Sequence, residues 1–223
     1  MTATLAFDIY GTLIDTQGVV EELSTMVGEA AAQVSRSWRD KQLEYAFRRG
    51  LMGRYQPFSD CTSQALDYAL ALHQCSVTAR QRQQLLDRYR RLPAFSDAAS
   101  ALQQLGHAGH RLWAFSNGQA AAVETLLASA GVLDTFDGIV SVDEIGRFKP
   151  DPAVYAHFLK RTAATAESTW LVSSNPFDVL GARSVGWQAA WVQRSAAVPF
   201  DDWEWSPTVT VERLDQLVTA LPG

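Results

Sequence analysis

Apolar residues follow two rhythms along this chain, and the change between them divides it. A short apolar run, Leu5-Ala6-Phe7, is bounded by turn signals at Gly11 and Thr12 and predicts a buried strand. From about Thr16 to Leu92 there is no strand signal. Glu, Gln, Arg, Ala and Leu, all good helix formers, dominate there. Val19, Val20, Leu23 and Val27 recur at helical spacing, and Leu43, Phe47 and Leu51 repeat it in the next segment. Pro57 and the Ser59-Asp60 pair interrupt the run. Ser59 is placed to cap a third helix ending near Cys75, and Thr78 a fourth running through Arg90.

From Pro93 onward helix and strand patterns alternate. The spacing predicts helices over Asp97–His107, Gln119–Ala130, Pro152–Arg161, Phe177–Ser184 and Glu212–Leu221. Strands are expected over Arg111–Phe115, Gly138–Val142, Thr169–Val172, Gln188–Val192 and Thr208–Thr210. Asp151 reads as a cap with Pro152 at the first helical position. Such alternation implies parallel βαβ units covered on both faces, hence an α/β fold. The division expected is a core of residues 1–15 and 93–223 with a helical insert over 16–92.

Composition narrows the reading further. The chain has 223 residues, 47% hydrophobic and 19% charged, enough for one domain plus a sizeable insert. A net charge of -5 and the lack of a basic stripe argue against a nucleic-acid partner. No apolar run approaches the roughly 20 residues that cross a bilayer. Met1-Thr2-Ala3-Thr4 carries neither a basic nor an apolar leader pattern. Cys61 and Cys75 lack metal-ligand companions and read as free thiols in a reducing compartment, so a cytoplasmic location is expected. His73, His107, His110 and His157 fall in no catalytic pattern, and Trp187, Trp191, Trp203 and Trp205 read as core and flank packing.

The candidate chemistry lies at strand ends. Asp8, Ser116-Asn117 and Ser173-Ser174-Asn175 each follow a strand-like run, and Gly146–Asp151 brings Lys149 behind another. In a parallel sheet these ends share one edge, where ligands bind. Singly, each is ordinary turn chemistry, and Asp8 equally reads as a cap. Together they offer a carboxylate able to form a covalent ester with substrate, beside an ammonium.

In this order the motifs resemble those of the haloacid dehalogenase superfamily, and within it the L-2-haloacid dehalogenase family. The resemblance covers nearly the whole chain. It rests on Phe7-Asp8-Ile9-Tyr10-Gly11-Thr12-Leu13, Trp38-Arg39-Asp40-Lys41-Gln42-Leu43-Glu44-Tyr45, Ser116-Asn117-Gly118, Lys149-Pro150-Asp151 with Tyr155, and Ser173-Ser174-Asn175-Pro176-Phe177-Asp178. The stretch around Arg39 discriminates, because the other motifs are superfamily-wide. The resemblance implies a Rossmann-like core with a helical cap, and hydrolysis of short (S)-2-haloacids to (R)-2-hydroxyacids through an aspartyl ester. It also implies a homodimer and no metal or other cofactor.

By the same resemblance Asp8 is the nucleophile. Arg39, Asn117 and the aromatic ring of Phe177 cradle the halide. Thr12, Lys149, Ser173, Asn175 and Asp178 hold the nucleophile and the water, with Asp178 either activating that water or only positioning Lys149. Tyr155 belongs with the Lys149 motif as a substrate-site residue. The substrate carboxylate is expected near Ser116 and the backbone after Asn117. Tyr10, Leu43 and Phe58 are pocket-lining candidates, although Leu43 and Phe58 serve equally well as ordinary core. Where Phe177 stands the family often has Trp, so fluoride becomes a candidate leaving group.

Two rival readings remain. Most superfamily members are Mg-dependent phosphatases, which carry an Asp where this chain has Tyr10 and a metal-binding Asp where it has Ser174. Mg²⁺ is held through carboxylates and substrate phosphate, and a phenol, with its ordinary pKa of about 10, is a poor acid-base group near neutrality. Both substitutions argue against a phosphohydrolase. A non-catalytic relic of the fold would be expected to lose Asp8, Lys149 or Arg39, and all three are present.

Overall fold

The computed structural model describes residues 2–201 and 203–221. Among them are six strands: β1 (Thr4–Phe7), β2 (Arg111–Ser116), β3 (Gly138–Ser141), β4 (Thr169–Ser173), β5 (Gln188–Val192) and β6 (Val209–Val211). They form one sheet in the order β3-β2-β1-β4-β5-β6, with every pairing parallel. The chain is therefore α/β with a Rossmann-like core.

β1 lies near the middle of the sheet and is buried along its whole length. Side chains alternate between faces, as a strand's period of two requires. Leu5, Phe7, Leu112, Ala114 and Val172 enter one hydrophobic cluster, and Ala6, Phe115, Val140, Leu171 and Ala189 enter a second on the other face. Helices α5 (Ala98–His107), α6 (Ala120–Ser129), α7 (Pro152–Thr162) and α8 (Pro176–Ser184) follow their strands and supply covering side chains such as Leu102, Leu126, Phe158 and Val179. Register aligns the strand ends: Phe7 pairs with Ala114 on one side and Val172 on the other. The residues just beyond those positions therefore meet.

Between β1 and α5 lie four helices, α1 (Val20–Val27), α2 (Ala31–Leu51), α3 (Phe58–Leu72) and α4 (Ala79–Tyr89). Thr78 caps α4 through a reciprocal box with Gln81: the Gln81 N–H donates to Thr78 Oγ1 at 3.2 Å, and the Thr78 N–H donates to Gln81 Oε1 at 2.8 Å.

Four expectations are corrected. Ser59 lies inside α3; the residue before that helix is Pro57, whose extended backbone already sets the entry without a side-chain cap. α3 also stops at Leu72, short of Cys75. Gln74 turns into the left-handed region at φ 53°, while the Gln74 and Cys75 N–H groups bond back to the Ala71 and Leu70 carbonyls. This closes the helix in a Schellman motif. The helical spacing of Leu43, Phe47 and Leu51 holds within α2, whose buried positions are Ala31, Val34, Ser35, Trp38, Gln42 and Ala46, with Leu51 91% exposed. Finally, the expected helix over Glu212–Leu221 is a 3-10 turn (Leu214–Gln216) followed by a short α9 (Leu217–Ala220). There the Leu214 N–H goes to the Asp97 carboxylate and the Gln216 side chain accepts from the Glu212 N–H, so helical bonding starts late. β6 begins one residue later than expected, at Val209.

Candidate active site

Asp8 is the first residue past β1, with its N–H bonded to the Val172 carbonyl at 2.9 Å. Gly11, at φ +88°, lets the chain double back, so Thr12 returns to Asp8. The Thr12 hydroxyl donates to Asp8 Oδ2 at 2.8 Å, and Asn175 Nδ2 donates to the same oxygen at 2.8 Å. Asp8 Oδ1 receives one longer bond, from Lys149 Nζ at 3.3 Å. One carboxylate oxygen is thus clamped twice, and the other is held by a single donor.

Lys149 is 1% exposed. Its ammonium also donates to the Phe115 carbonyl and to Asp178 Oδ2, both at 2.8 Å, and lies 4.1 Å from the Phe115 ring centroid. The Tyr155 hydroxyl donates to Asp178 Oδ1 at 2.8 Å. It reaches that far because Gly181, one turn along α8, has no Cβ to collide with it. Burial, aided by the charge of Asp8, raises the Asp178 carboxyl above its ordinary range against the opposing pull of Lys149. Burial, and then the Asp178 carboxylate, likewise push the Tyr155 phenol far above its ordinary value, so it stays a neutral donor.

Arg39 reaches the same edge from α2. Its Nη2 donates to the Tyr10 carbonyl at 2.9 Å and lies 3.5 Å from Asn175 Oδ1. The Tyr10 ring stacks on Tyr89 of α4, with centroids 5.9 Å apart, and approaches Phe58 of α3 at 5.8 Å. Burial raises its phenol well above the usual range. The Phe177 ring meets the edge of Phe47 at 4.9 Å across the boundary between insert and core. Both rings line a largely apolar cleft of about 550 Å³ that also touches Lys149, half-buried Leu43 being absent from its lining.

The remaining candidates sit at the same edge in other attitudes. Asn117 Oδ1 accepts the Lys149 backbone N–H at 3.0 Å and so ties the two loops together. The Ser116 and Ser173 hydroxyls both accept the N–H two residues ahead, from Gly118 at 3.0 Å and Asn175 at 3.1 Å, and shape the turns after β2 and β4. Neither hydroxyl bonds Asp8 within the described residues. Ser174 joins its loop to the Asp8 loop, donating to the Gly11 carbonyl while its N–H bonds Thr12 Oγ1, each at 2.8 Å.

A profile of haloacid dehalogenase-like hydrolases matches residues 2–186. A haloacetate dehalogenase of Moraxella sp. (strain B) is 35% identical over 214 residues, covering 96% of this chain and 95% of that protein. An (S)-2-haloacid dehalogenase of Pseudomonas sp. (strain YL) is 35% identical, covering 96% and 92%. Among solved structures, the L-2-haloacid dehalogenase of Xanthobacter autotrophicus with chloropropionic acid covalently bound superposes with a TM-score of 0.91 at 31% identity, over 98% of both chains. The chain belongs to the L-2-haloacid dehalogenase family.

Seen as a site of that family, the edge is ill suited to a divalent cation. Such an ion needs several oxygen ligands with carboxylates prominent among them. Here the Lys149 ammonium bonds both Asp8 Oδ1 and Asp178 Oδ2, and the Ser174 hydroxyl is committed to the Gly11 carbonyl. Among the described residues no three His, Cys, Asp or Glu side chains cluster at ligating distance. The donor set is that of an ammonium-bridged carboxylate pair.

Two residues that brace the site escaped the sequence reading. Arg194, beyond β5, donates to the Thr12 carbonyl at 2.6 Å and to Asp97 Oδ2 at 2.7 Å, bracing the turn that carries Thr12. Nothing near Arg194 in sequence signals this. Gln42 accepts from Arg39 at 2.8 Å. Its position three residues after Arg39 on one helix was the available clue.

Proposed function

We propose that this protein hydrolyses short (S)-2-haloacids to (R)-2-hydroxyacids and halide through an ester on Asp8, with no metal ion. The observation that carries the reading is the asymmetry of the Asp8 carboxylate, together with the arrival of Arg39 from the helical insert at the same edge. In the first step Oδ1, the less encumbered oxygen, attacks C2. A C–O bond forms as the carbon–halogen bond breaks, the halide leaves with the electron pair, and C2 inverts. Arg39, Asn117 and Phe177 take the halide in this reading. Donors placed where charge develops lower such a barrier.

In the second step water attacks Cγ of Asp8. Its proton passes to a base, the Cγ–O bond to the substrate breaks, and the hydroxyacid departs with its C2–O bond intact. One inversion in all converts the (S) haloacid to the (R) hydroxyacid. Asp178 serves either as that base or as the group that positions Lys149. Its raised proton affinity supports the first role, and its 2.8 Å bond to Lys149 supports the second. Thr12, Ser173 and Asn175 hold the nucleophile loop and its neighbour, and Tyr155 holds Asp178. Ser116 and the backbone after Asn117 take the substrate carboxylate, and Tyr10 lines the pocket.

In this reading residues 16–92 act as a cap over a core of residues 1–15 and 93–223, completing the site and excluding water. Homodimers in the cytoplasm fit the family and the two free cysteines; among the described residues no helix is long and apolar enough to cross a membrane.

The test is a panel of both 2-chloropropionate enantiomers and p-nitrophenyl phosphate, each with and without Mg²⁺. Chloride release from the (S) enantiomer alone, unaffected by chelator, is expected. Mg-dependent phosphate release without dehalogenation would refute the reading.

A further inference from the structure

Gln42 is a polar side chain with no exposure to solvent, placed within the insert rather than at the sheet edge. Buried amides are retained only where their hydrogen bonds are met, and Gln42 meets its own through three helices. Its Oε1 accepts from Arg39 Nη1 at 2.8 Å and from the Tyr89 hydroxyl of α4 at 3.0 Å. Its Nε2 donates to Thr62 Oγ1 of α3. The Thr62 hydroxyl proton goes in turn to the Phe58 carbonyl at 2.9 Å, and the Thr62 carbonyl accepts the Trp38 indole N–H at 2.8 Å.

The amide can face only one way. A guanidinium donates and never accepts, so the oxygen must face Arg39. The nitrogen then faces Thr62, whose lone pairs are open because its own proton is engaged elsewhere. α2, α3 and α4 thus fix one acceptor at one place. Of the protein acceptors of Arg39 it is the only one on the insert among the described residues. The other two, the Tyr10 carbonyl and Asn175 Oδ1, belong to the sheet edge.

We propose that Gln42 is a positioning residue for Arg39. It holds Nη1 from behind, so that the guanidinium meets the departing halide in a single orientation instead of swinging among rotamers. Thr62 and Tyr89 fix Gln42 in its turn. A satisfied buried network of this kind rigidifies what it holds. This proposal rests on the dehalogenase reading above, in which Arg39 faces the halide.

A purely structural amide would affect folding, or every substrate alike. A positioning amide acts most on the leaving group that most needs charge stabilisation. The experiment compares rapid-quench release of chloride and bromide from (S)-2-chloropropionate and (S)-2-bromopropionate in wild type and in Gln42→Met, which fills similar volume without the hydrogen bonds. Thermal melts run in parallel. Gln42→Met is expected to slow chloride release about tenfold or more, a smaller loss than deleting a direct donor brings, and to slow bromide release distinctly less, with KM nearly unchanged. Equal slowing of both halides, or a lowered melting temperature with normal halide release, overturns the proposal. Where Gln42→Met does not fold, Thr62→Val decides. It removes the acceptor that orients the amide, is expected to shift the chloride-to-bromide ratio in the same direction by a smaller factor, and overturns the proposal if the ratio stays put. Wild-type inertness towards both substrates would overturn the dehalogenase reading and this proposal together, whereas wild-type turnover with an unchanged ratio in the variants overturns this proposal alone.

Discussion

Asp178 shows what burial does to a carboxylate at the site. It is fully buried and shares Lys149 with Asp8, and desolvation penalises its charged form. Its carboxyl therefore holds a proton more tightly in the folded protein than in the unfolded chain. For such a group the folded state is favoured at low pH, and that advantage is lost as pH rises from the unfolded pKa through the folded one. Asp178→Asn keeps one oxygen to accept from Lys149, turns its NH2 toward the Tyr155 hydroxyl, which retains the Asp178 backbone carbonyl as acceptor, and removes the titration. The stability difference, wild type minus variant, is expected to fall across that interval and then level off. Urea midpoints measured against pH check this, and a difference that grows with pH would contradict it. Activity of Asp178→Asn should be strongly reduced whether the residue activates water or only positions Lys149. At this scale the sequence was informative because strand-end polar residues in a parallel sheet share an edge. Asp8, Lys149 and Asn175 were legible for that reason, whereas Thr12 and Asp178 came from the family resemblance. The Ser116 and Ser173 hydroxyls turned out to serve their own turns, since a serine two residues before a free N–H bonds it locally.

Among the elements, α2 reaches from insert to core. It carries Trp38 and Ala46 into the packed interior, Arg39 to the sheet edge and Phe47 against Phe177. Its burial pattern was hidden from a hydrophobic reading because two of its buried positions are Ser35 and Gln42. A helix that packs through a polar network shows no clean apolar stripe. Arg39→Ala is expected to lower the rate of halide release by about 10²–10³-fold, as loss of a donor to developing charge does. The fold should tolerate it. Gln42 Oε1 keeps the Tyr89 hydroxyl and the Tyr10 carbonyl keeps Asn175 Nδ2, so stability should change by no more than about 1 kcal/mol. Parallel kinetics and thermal melts check both halves, and full activity in this variant would remove Arg39 from the mechanism. The ends of α3 and of the C-terminal segment were less legible. A left-handed Gln74 and a side-chain claim on the Leu214 N–H are tertiary or conformational choices that propensity does not encode.

For the molecule as a whole, the candidate site is assembled from parts that lie far apart in the chain: Asp8 at its start, Arg39 in the insert, and Lys149 and Asp178 after the third and fourth strands. The parallel βαβ arrangement was legible from the alternation after Pro93; the strand order, with β1 between β2 and β4, was not, and it brings Asp8, Lys149 and Asp178 together while α2 carries Arg39 to them. What alternation could not reveal was the long-range bracing, such as Arg194 on the Thr12 carbonyl, because a single arginine beyond a strand has no pattern around it. A covalent route through Asp8 requires that the oxygen entering product first pass through the Asp8 carboxylate. A single turnover of (S)-2-chloropropionate with enzyme in excess, in water enriched in heavy oxygen and followed by mass spectrometry of the peptide holding Asp8, tests this directly. Label in Asp8 and unlabelled product are predicted, with Asp8→Asn forming no ester. Label in the product of that first turnover, with none in Asp8, would contradict the account.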